Sequence, residues 1–314
     1  MNGSLLLISK HPQDVTLCSG VATRLQLDFK HTTSINEVRS KLIEDPRSVV
    51  FWDAETATGY ERIAEVLPKY TSPKRVFAVT SKGFGEYPHL FNNPDFRNHV
   101  FRQYDASAEI VLSCVVAAAI APGDSAVRIE TFFPKPPPIK RIFITRPAHR
   151  TAAIEAINNS LTKHGIKDRM AALVARCTDE LILNAVLRAP VWPDGSPKRA
   201  SAERDQNFEF ITQEQVEVEV AEGESYMAVC VSDLFGSLKR RAILDALREH
   251  YESSAPKNVR AGVRIGFHMV VEGGLSLVVS TQPKQQTRVI LLFPKVESYK
   301  QFRMGFRFLS LNAE

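Results

Sequence analysis

The chain has 314 residues, of which 44% are hydrophobic and 24% charged, and its formal net charge is +5. This length exceeds one ordinary core and predicts two domains, and the composition excludes a disordered or fibrous protein. The most apolar run, residues 110–122, is too short to span a bilayer, so we expect no membrane segment. Residues 1–7 have no basic residue ahead of their apolar stretch, unlike a signal peptide, and we expect a cytoplasmic protein.

Residues 1–122 alternate short apolar runs with stretches of helical character. Strands are predicted over residues 5–9, 48–52, 75–80 and 98–101, and helices over residues 37–44, 60–70 and 108–121. Alternating strands and helices indicate a parallel sheet with helices on both faces. The first predicted domain is therefore an α/β domain over residues 1–122.

A proline-rich segment follows this domain. Pro122 and Gly123 end the preceding helix, and Pro134 and residues 136–138 favour an extended chain because proline has no backbone N–H to donate. Residues 123–139 are therefore predicted to be a linker.

The second half of the chain begins with helices and continues with strands that form hairpins. A strand is predicted over residues 140–145, helices over residues 148–164, 168–189 and 238–251, and further strands over residues 216–220, 226–231, 275–280 and 287–293. This order is typical of an α/β sandwich rather than of a doubly wound sheet. We predict a domain over residues 140–294 and a tail over residues 295–314.

Glu180 and Asn184 are the most informative pair in this domain. They are four residues apart on a predicted helix, so one lies above the other. Asn184 also falls on the apolar stripe that includes Cys177 and Leu181. A buried amide costs free energy unless something satisfies it, and a bound magnesium ion would do so. Glu180 would then be placed to orient or activate a hydroxyl group or water.

This segment resembles the N-box of the GHKL superfamily, which includes the ATPase domains of histidine kinases, gyrase and the anti-sigma-factor serine kinases. Residues 232–236 are similar to its G1 box, residues 260–267 to its glycine-rich G2 box, and the resemblance spans residues 140–294. It implies an ATP site formed by Asn184, Asp233, Gly236, Gly262, Arg264, Gly266 and Thr287. It also implies that Asn184 holds Mg²⁺, that Asp233 reads the adenine amino group and that Glu180 is the candidate base.

Two residues depart from this family pattern. Phe235 replaces a glycine of the G1 box and is expected to fill space that a nucleotide needs. Arg264 replaces the middle glycine of the G2 box, where a side chain would obstruct the approach of a phosphate to backbone N–H groups. An arginine there could equally contact the phosphate itself. The sequence therefore leaves open a GHKL-type domain that binds ATP and Mg²⁺ and one that binds neither.

The first domain resembles a flavodoxin-like response-regulator receiver. Asp53 follows the predicted strand over residues 48–52 and stands where the receiver family has its phosphoacceptor. Thr80 and Arg102 stand where that family has a switch hydroxyl and a lysine. Ser9 and Lys10 replace the acidic pair that would hold magnesium. Phosphoryl transfer without that metal lacks charge neutralisation, so we predict a pseudo-receiver in which Asp53 is not phosphorylated and pairs with Lys10 instead.

Two functions follow from these resemblances. One is a bacterial signal-transduction regulator that acts through protein–protein contacts of a pseudo-receiver and a degenerate GHKL domain. The alternative is an enzyme, an ATP-dependent serine/threonine protein kinase of the anti-sigma type. An intact Glu180 and Asn184 favour the kinase, whereas Phe235, Arg264 and the missing receiver acids favour the regulator.

The expected partner is a protein of a signalling pathway. A homodimer is also expected because relatives of both domains often pair. The tail interleaves Arg303 and Arg307 with phenylalanines, which favours a docking segment. The positive charge is too modest to favour nucleic acid as a ligand.

Overall fold

The computed structural model describes residues 3–55, 63–83, 86–93, 95–121, 127–199, 201–203, 206, 208–252 and 264–313. Contacts divide the chain into two compact units. The first unit contains the described residues of Met1–Gly123, Thr131–Pro134 and Phe306–Leu311, and the second contains those of Asp124–Glu130, Lys135–Gly305 and Asn312–Glu314. Each unit combines helices with a sheet, so the chain has the predicted α/β class.

Most predicted helices and strands match observed ones to within a few residues. The strands are β1 Ser4–Ile8, β2 Asp28–Thr32, β3 Val49–Asp53, β4 Val76–Thr80, β5 Asn98–Phe101, β6 Ile139–Ile144, β7 Val216–Glu222, β8 Tyr226–Asp233, β9 Ser276–Gln282, β10 Gln286–Pro294 and β11 Phe308–Asn312. The helices are α1 Pro12–Leu25, α2 Ile35–Glu44, α3 Pro88–Asn92, α4 Ala108–Ile120, α5 His149–Lys163, α6 Asp168–Leu183, α7 Arg240–Glu252, α8 Arg264–Gly273 and α9 Tyr299–Met304. No helix within the described ranges has both the length and the apolar character needed to cross a bilayer.

Five strands of the first unit are parallel and have the order β2-β1-β3-β4-β5, and β11 pairs antiparallel with β5. This order is one of the common doubly wound orders, in which ligand sites lie beyond the carboxyl ends of the strands. The central strands β1, β3 and β4 are apolar except for one terminal residue each, Ser4, Asp53 and Thr80, because parallel strands are covered on both faces. Phe51 and Phe77 stack between β3 and β4 with their ring centroids 4.6 Å apart.

The sequence did not predict α1 and β2. Helix α1 begins at Pro12, a favoured first position, and buries Leu17, Cys18 and Val21 among its inward residues. Its opening turn is polar, and that turn concealed the helical pattern. Strand β2 is a polar edge strand of mostly half-exposed residues, so it lacks the continuous apolar run that marked its neighbours.

The sheet of the second unit has the order β9-β10-β8-β7-β6 and is antiparallel at every pairing. Helix α6 packs on α5 and on α8, and α8 also packs on α7. Nine residues of α6 are buried, Cys177 and Leu181 among them, as its apolar stripe predicts. Helices on an antiparallel sheet give the predicted sandwich order.

The predicted linker and tail boundaries differ from the observed units. Residues 131–134 of the predicted linker belong to the first unit, and Phe132 and Phe133 are buried rather than exposed. In the predicted tail, α9 belongs to the second unit, whereas β11 pairs antiparallel with β5 of the first unit. The tail is therefore a folded part of the molecule, and its phenylalanines serve the core. Of the helix predicted over residues 60–70, residues 60–62 lie outside the described ranges.

Candidate functional site

A cavity of about 220 Å³ opens in the second unit, which we call the second-unit cavity. Its walls come from the carboxyl end of α6, the start of α7, residue Phe267 of α8 and strands β8 and β10. Its polar and charged lining residues are Asn184, Arg188, Asp233, Ser237, Lys239 and Thr287. Three residues that the sequence assigned to ATP, namely Asn184, Asp233 and Thr287, thus line one cavity although the chain separates them widely.

Asn184 lies where helix α6 changes its winding. Residues Asn184–Arg188 form a π-helical turn, a rare geometry that often occurs at functional sites. The Asn184 Nδ2 atom is buried and has no hydrogen-bond partner within the part of the chain that the structure describes. Native proteins satisfy most buried polar atoms, and an exception calls for a ligand, an ion or water.

Asp233 ends strand β8 and is 7% exposed. Its Oδ1 atom accepts hydrogen bonds from the backbone N–H of Phe235 at 2.9 Å and of Gly236 at 3.3 Å. Burial raises the pKa of Asp233 to about 6, and these backbone donors only partly oppose that effect. The carboxylate is therefore charged at neutral pH at a substantial cost, which a donor group of a ligand would reduce.

Thr287 lies directly opposite Asp233 in the ladder between β8 and β10. Its hydroxyl is buried and has no hydrogen-bond partner among the described residues, although it lies near enough to lower the pKa of Asp233 slightly. An unsatisfied hydroxyl and a destabilised carboxylate therefore stand side by side at the cavity wall. The carboxylate can accept a hydrogen bond from a small heterocyclic ligand, and the hydroxyl can donate one to the same ligand.

Gly266 brings α8 close to the Glu180–Asn184 turn. A Cβ atom on Gly266 would lie 3.2 Å from Glu180 Cβ and 3.4 Å from Asn184 Nδ2, so the close packing depends on the missing side chain. Glu180 is half-buried beside this contact but is not among the residues that line the cavity. Gly262 and the Arg264 side chain lie outside what the structure describes.

Gly236 has a positive φ of 59°, and an added Cβ would overlap the carbonyl oxygen of Gln282. It is therefore required by the tight turn after β8. Phe235 is buried, its ring 5.7 Å from Lys198 Nζ, and it is absent from the residues that line the cavity. Phe235 was expected to fill space that a nucleotide needs, but its side chain does not line the second-unit cavity.

Arg188 and Lys239 also line the cavity, and sequence reasoning assigned neither to it. Lys239 is exposed and directly precedes α7. Arg188 ends the π-helical turn that starts at Asn184. Two cations at a cavity that contains one carboxylate favour an anionic ligand. Of these two residues, only Arg188 could have been found from the sequence, because it lies one turn after Asn184 in the same predicted helix.

In the first unit, Arg102 is surrounded by carboxylates at the carboxyl end of the parallel sheet. Its side chain is 4% exposed, and its Nε atom lies 3.0 Å from Asp14 Oδ1. Its Nη2 atom lies 3.2 Å from Asp53 Oδ1, and its Nη1 atom pairs with Glu55. We call these four residues the arginine cluster. Burial lowers the pKa of Arg102, but Asp14 and Asp53 outweigh it and raise that pKa.

Asp14 corrects the expectation that this site lacks acids. It is fully buried in the first turn of α1, and it also accepts hydrogen bonds from Ser9 Oγ at 2.6 Å and Tyr104 Oη at 2.7 Å. Burial raises the pKa of Tyr104, and the Asp14 charge raises it further, so Tyr104 remains a donor. The sequence missed Asp14 because the acid comes from a helix turn rather than from the end of β1.

Asp53 is held by Arg102 and by His11, whose Nε2 atom lies 3.3 Å from Asp53 Oδ2. Lys10 was the predicted partner of Asp53, but among the described residues the ion pairs of Asp53 are with His11 and Arg102 and not with Lys10. The carboxylates needed for a metal are present, but the Arg102 guanidinium already contacts all three and offsets one of their negative charges. A cation or phosphoryl group that approached Asp53 would have to displace or accommodate Arg102.

Thr80 does not face Asp53 as a switch hydroxyl would. Its Oγ1 atom lies 2.7 Å from His99 Nε2, and it also donates to the carbonyl of Lys82. Burial lowers the pKa of His99 to about 3, with a further contribution from Arg307, so the imidazole is neutral at pH 7. The hydroxyl of Thr80 is therefore engaged within the sheet.

Comparison with known proteins shows no family for this chain. No protein-family model matches the chain, and no curated protein matches it. Among solved structures, the crystal structure of the SiaB-SiaC complex from Pseudomonas aeruginosa is similar at 15% identity and a TM-score of 0.24. That match covers 48% of this chain and 88% of the other. A TM-score of this size carries no argument about function.

Proposed function

We propose that this protein is a signal-transduction regulator whose GHKL-like second unit binds an adenine nucleotide and whose receiver-like first unit is a docking module without phosphotransfer. The partner would be another protein of the pathway. The observation that carries the nucleotide part is the convergence of Asn184, Asp233 and Thr287 on one cavity.

The chemistry of these three residues fits ATP with Mg²⁺. A carboxylate such as Asp233 accepts a hydrogen bond from the adenine amino group, and Thr287 supplies a neighbouring hydroxyl. An Asn184 amide supplies an oxygen of the kind that Mg²⁺ prefers. The cavity volume suits a heterocyclic base, and Arg188 and Lys239 supply positive charge for phosphates.

The arginine cluster supports the docking role of the first unit. Arg102 gives Asp14, Asp53 and Glu55 the positive charge that a metal would otherwise supply. A carboxylate that is paired in this way is a poor nucleophile, and its phosphorylation would add negative charge to an acidic cluster. The surface of the unit then carries the signal without covalent chemistry.

Isothermal titration of the full chain with ATP and Mg²⁺ tests the nucleotide proposal. We expect saturable binding that is lost in Asn184→Ala and in Asp233→Ala. Asn159→Ala is the matched control, because Asn159 is exposed on α5, and it should bind like the unaltered protein. Absence of heat at millimolar ATP, with normal circular dichroism, would contradict the proposal.

Acetyl phosphate tests the docking role of the first unit. We expect no phosphoryl group at Asp53 by intact-protein mass spectrometry of the full chain. Stable labelling that disappears in Asp53→Asn would overturn the pseudo-receiver proposal.

A serine/threonine kinase is the second candidate, and the packing of Glu180 beside Asn184 and Gly266 favours it. In that case Glu180 would act as the base that activates a substrate hydroxyl. Glu180→Gln would then retain ATP binding but lose phosphate transfer to a partner protein. Equal transfer by Glu180→Gln and the unaltered chain would exclude this role.

A further inference from the structure

A cluster of two histidines and a glutamate lies in the second unit, away from the polar groups of the cavity. His268 and Glu272 are four residues apart on α8 and therefore share one face of it, and His250 faces them from the end of α7. One ligand atom from each residue lies within 4.8 Å of those from the other two. The three side chains thus converge from two helices on one point.

The present contacts hold this arrangement together without any ion. His250 Nε2 lies 2.7 Å from Glu272 Oε1, and the rings of His250 and His268 stack with centroids 3.9 Å apart and planes inclined by 18°. Neutral imidazoles are the form that binds transition metals.

The donor set selects the class of ion. Two imidazole nitrogens and one carboxylate oxygen are the ligands of open zinc sites, which keep a further position for water or another ligand. Calcium and magnesium prefer oxygen ligands, so this set disfavours them. A tetrahedral zinc ion with bonds of about 2.0–2.2 Å holds its ligand atoms about 3.4 Å apart. His250 Nε2 and Glu272 Oε1, now 2.7 Å apart, would therefore separate, and the two stacked rings would tilt so that both nitrogens face the ion. Both histidines are half-buried and Glu272 is exposed, which leaves a route for the ion to enter.

We propose that His250, His268 and Glu272 bind a divalent transition metal, with zinc as the favoured ion, and that this site fixes α7 to α8. Each of the two helices also contributes a residue to the second-unit cavity. On α8, Phe267 directly precedes His268, and on α7, Ala242 lies two turns before His250. A bound ion would therefore fix two walls of the second-unit cavity. The site itself does not depend on which ligand the cavity takes.

Metal titration of the full chain, freed of metal by a chelator and then desalted, tests this proposal. We expect one equivalent of Zn²⁺ to bind, and Co²⁺ to give visible absorption bands of low coordination number. His268→Ala and Glu272→Gln should each weaken Zn²⁺ binding by more than about 100-fold, since changes to outer-shell partners alone cost about 10–100-fold. Both variants should keep the circular dichroism of the unaltered chain, because His268 is only half-buried and Glu272 is exposed.

His164→Ala is the matched control, because His164 pairs with Glu222 outside the cluster and should leave Zn²⁺ affinity unchanged. The proposal is overturned if the unaltered chain binds no Zn²⁺ at micromolar concentration. It is equally overturned if His268→Ala and Glu272→Gln bind Zn²⁺ as tightly as the His164→Ala control.

Discussion

Each unit contains a buried carboxylate, but the two carboxylates differ in the groups that stabilise their negative charge. In the first unit, Asp14 is fully buried and receives the guanidinium of Arg102 together with the hydroxyls of Ser9 and Tyr104. In the second unit, Asp233 is almost as buried but receives backbone N–H groups, and no cation pairs with it among the described residues. The pKa of Asp233 accordingly rises to about 6.

This difference indicates that Asp14 stabilises the fold, whereas Asp233 is available to a ligand. The chain itself neutralises Asp14, so that carboxylate stabilises the fold and offers little to a ligand. Asp233 borders a cavity and retains the cost of its burial, so a ligand that donates to it gains that free energy. The same residue type therefore stabilises the fold in one unit and borders an open cavity in the other.

The largest effect should come from Arg102→Met, which leaves three carboxylates of the arginine cluster without their cation. Removing one partner of a buried ion pair costs about 3–5 kcal/mol, and we expect the free energy of unfolding to fall by that amount. Urea denaturation at pH 7, followed by circular dichroism, measures the change. A loss below ~1 kcal/mol would show that Asp14 is not held in the way described.

Arg24→Met is the matched control for this substitution. Arg24 pairs with Glu109 at 3.0 Å, but both side chains are more than 40% exposed. Exposed pairs contribute about 0–1 kcal/mol, so the control should unfold nearly like the unaltered chain.

A smaller effect with a distinct pH dependence should come from Asp233→Asn. The pKa of Asp233 rises from 3.8 to about 6 on folding, so its contribution to stability is complete below pH 3.8 and is lost as the pH rises through 6. Asparagine mimics the protonated acid and avoids that loss. The variant should therefore be more stable than the unaltered chain above pH 6, by up to ~3 kcal/mol, and equal to it below pH 3.8.

Urea denaturation of both proteins between pH 3.5 and 8 measures this difference. Asp28→Asn, which changes an exposed carboxylate on β2, is the matched control. A constant offset between Asp233→Asn and the unaltered chain would mean that burial does not raise the pKa of Asp233. The same variant should weaken adenine recognition, so its gain in stability would accompany a loss of binding.

The sequence predicted the cavity residues better than those of the arginine cluster. Asn184 was selected because it lies on an apolar helical stripe. Asp233, at the end of β8, and Thr287, at the start of β10, were selected only by the resemblance to the GHKL family. Asp14 occupies the polar first turn of a helix that has no marked pattern. Strand β11 pairs with β5 from the far end of the chain, and no local signal specifies a contact of that range.

Local helix geometry and side-chain directions also could not be predicted from the sequence. The π-helical turn at Asn184 has no residue signature, although it determines which atoms of α6 face the cavity. The direction of the Thr80 hydroxyl depends on His99 in the neighbouring strand rather than on the position of Thr80 after the apolar run of β4.

The smallest of the three effects should come from Thr80→Val, which tests whether Thr80 belongs to the sheet or to Asp53. Both Thr80 and His99 are 0% exposed, so the variant buries an imidazole nitrogen that has lost its hydroxyl partner, at about 1–2 kcal/mol. Thr16→Val, an exposed threonine on α1, should change stability by less than about 0.5 kcal/mol. NMR of the His99 ring distinguishes the two roles, because its resonances should shift in Thr80→Val. If they stay in place while those of Asp53 move, the hydroxyl faces the arginine cluster, and the assignment of Thr80 to the sheet is wrong.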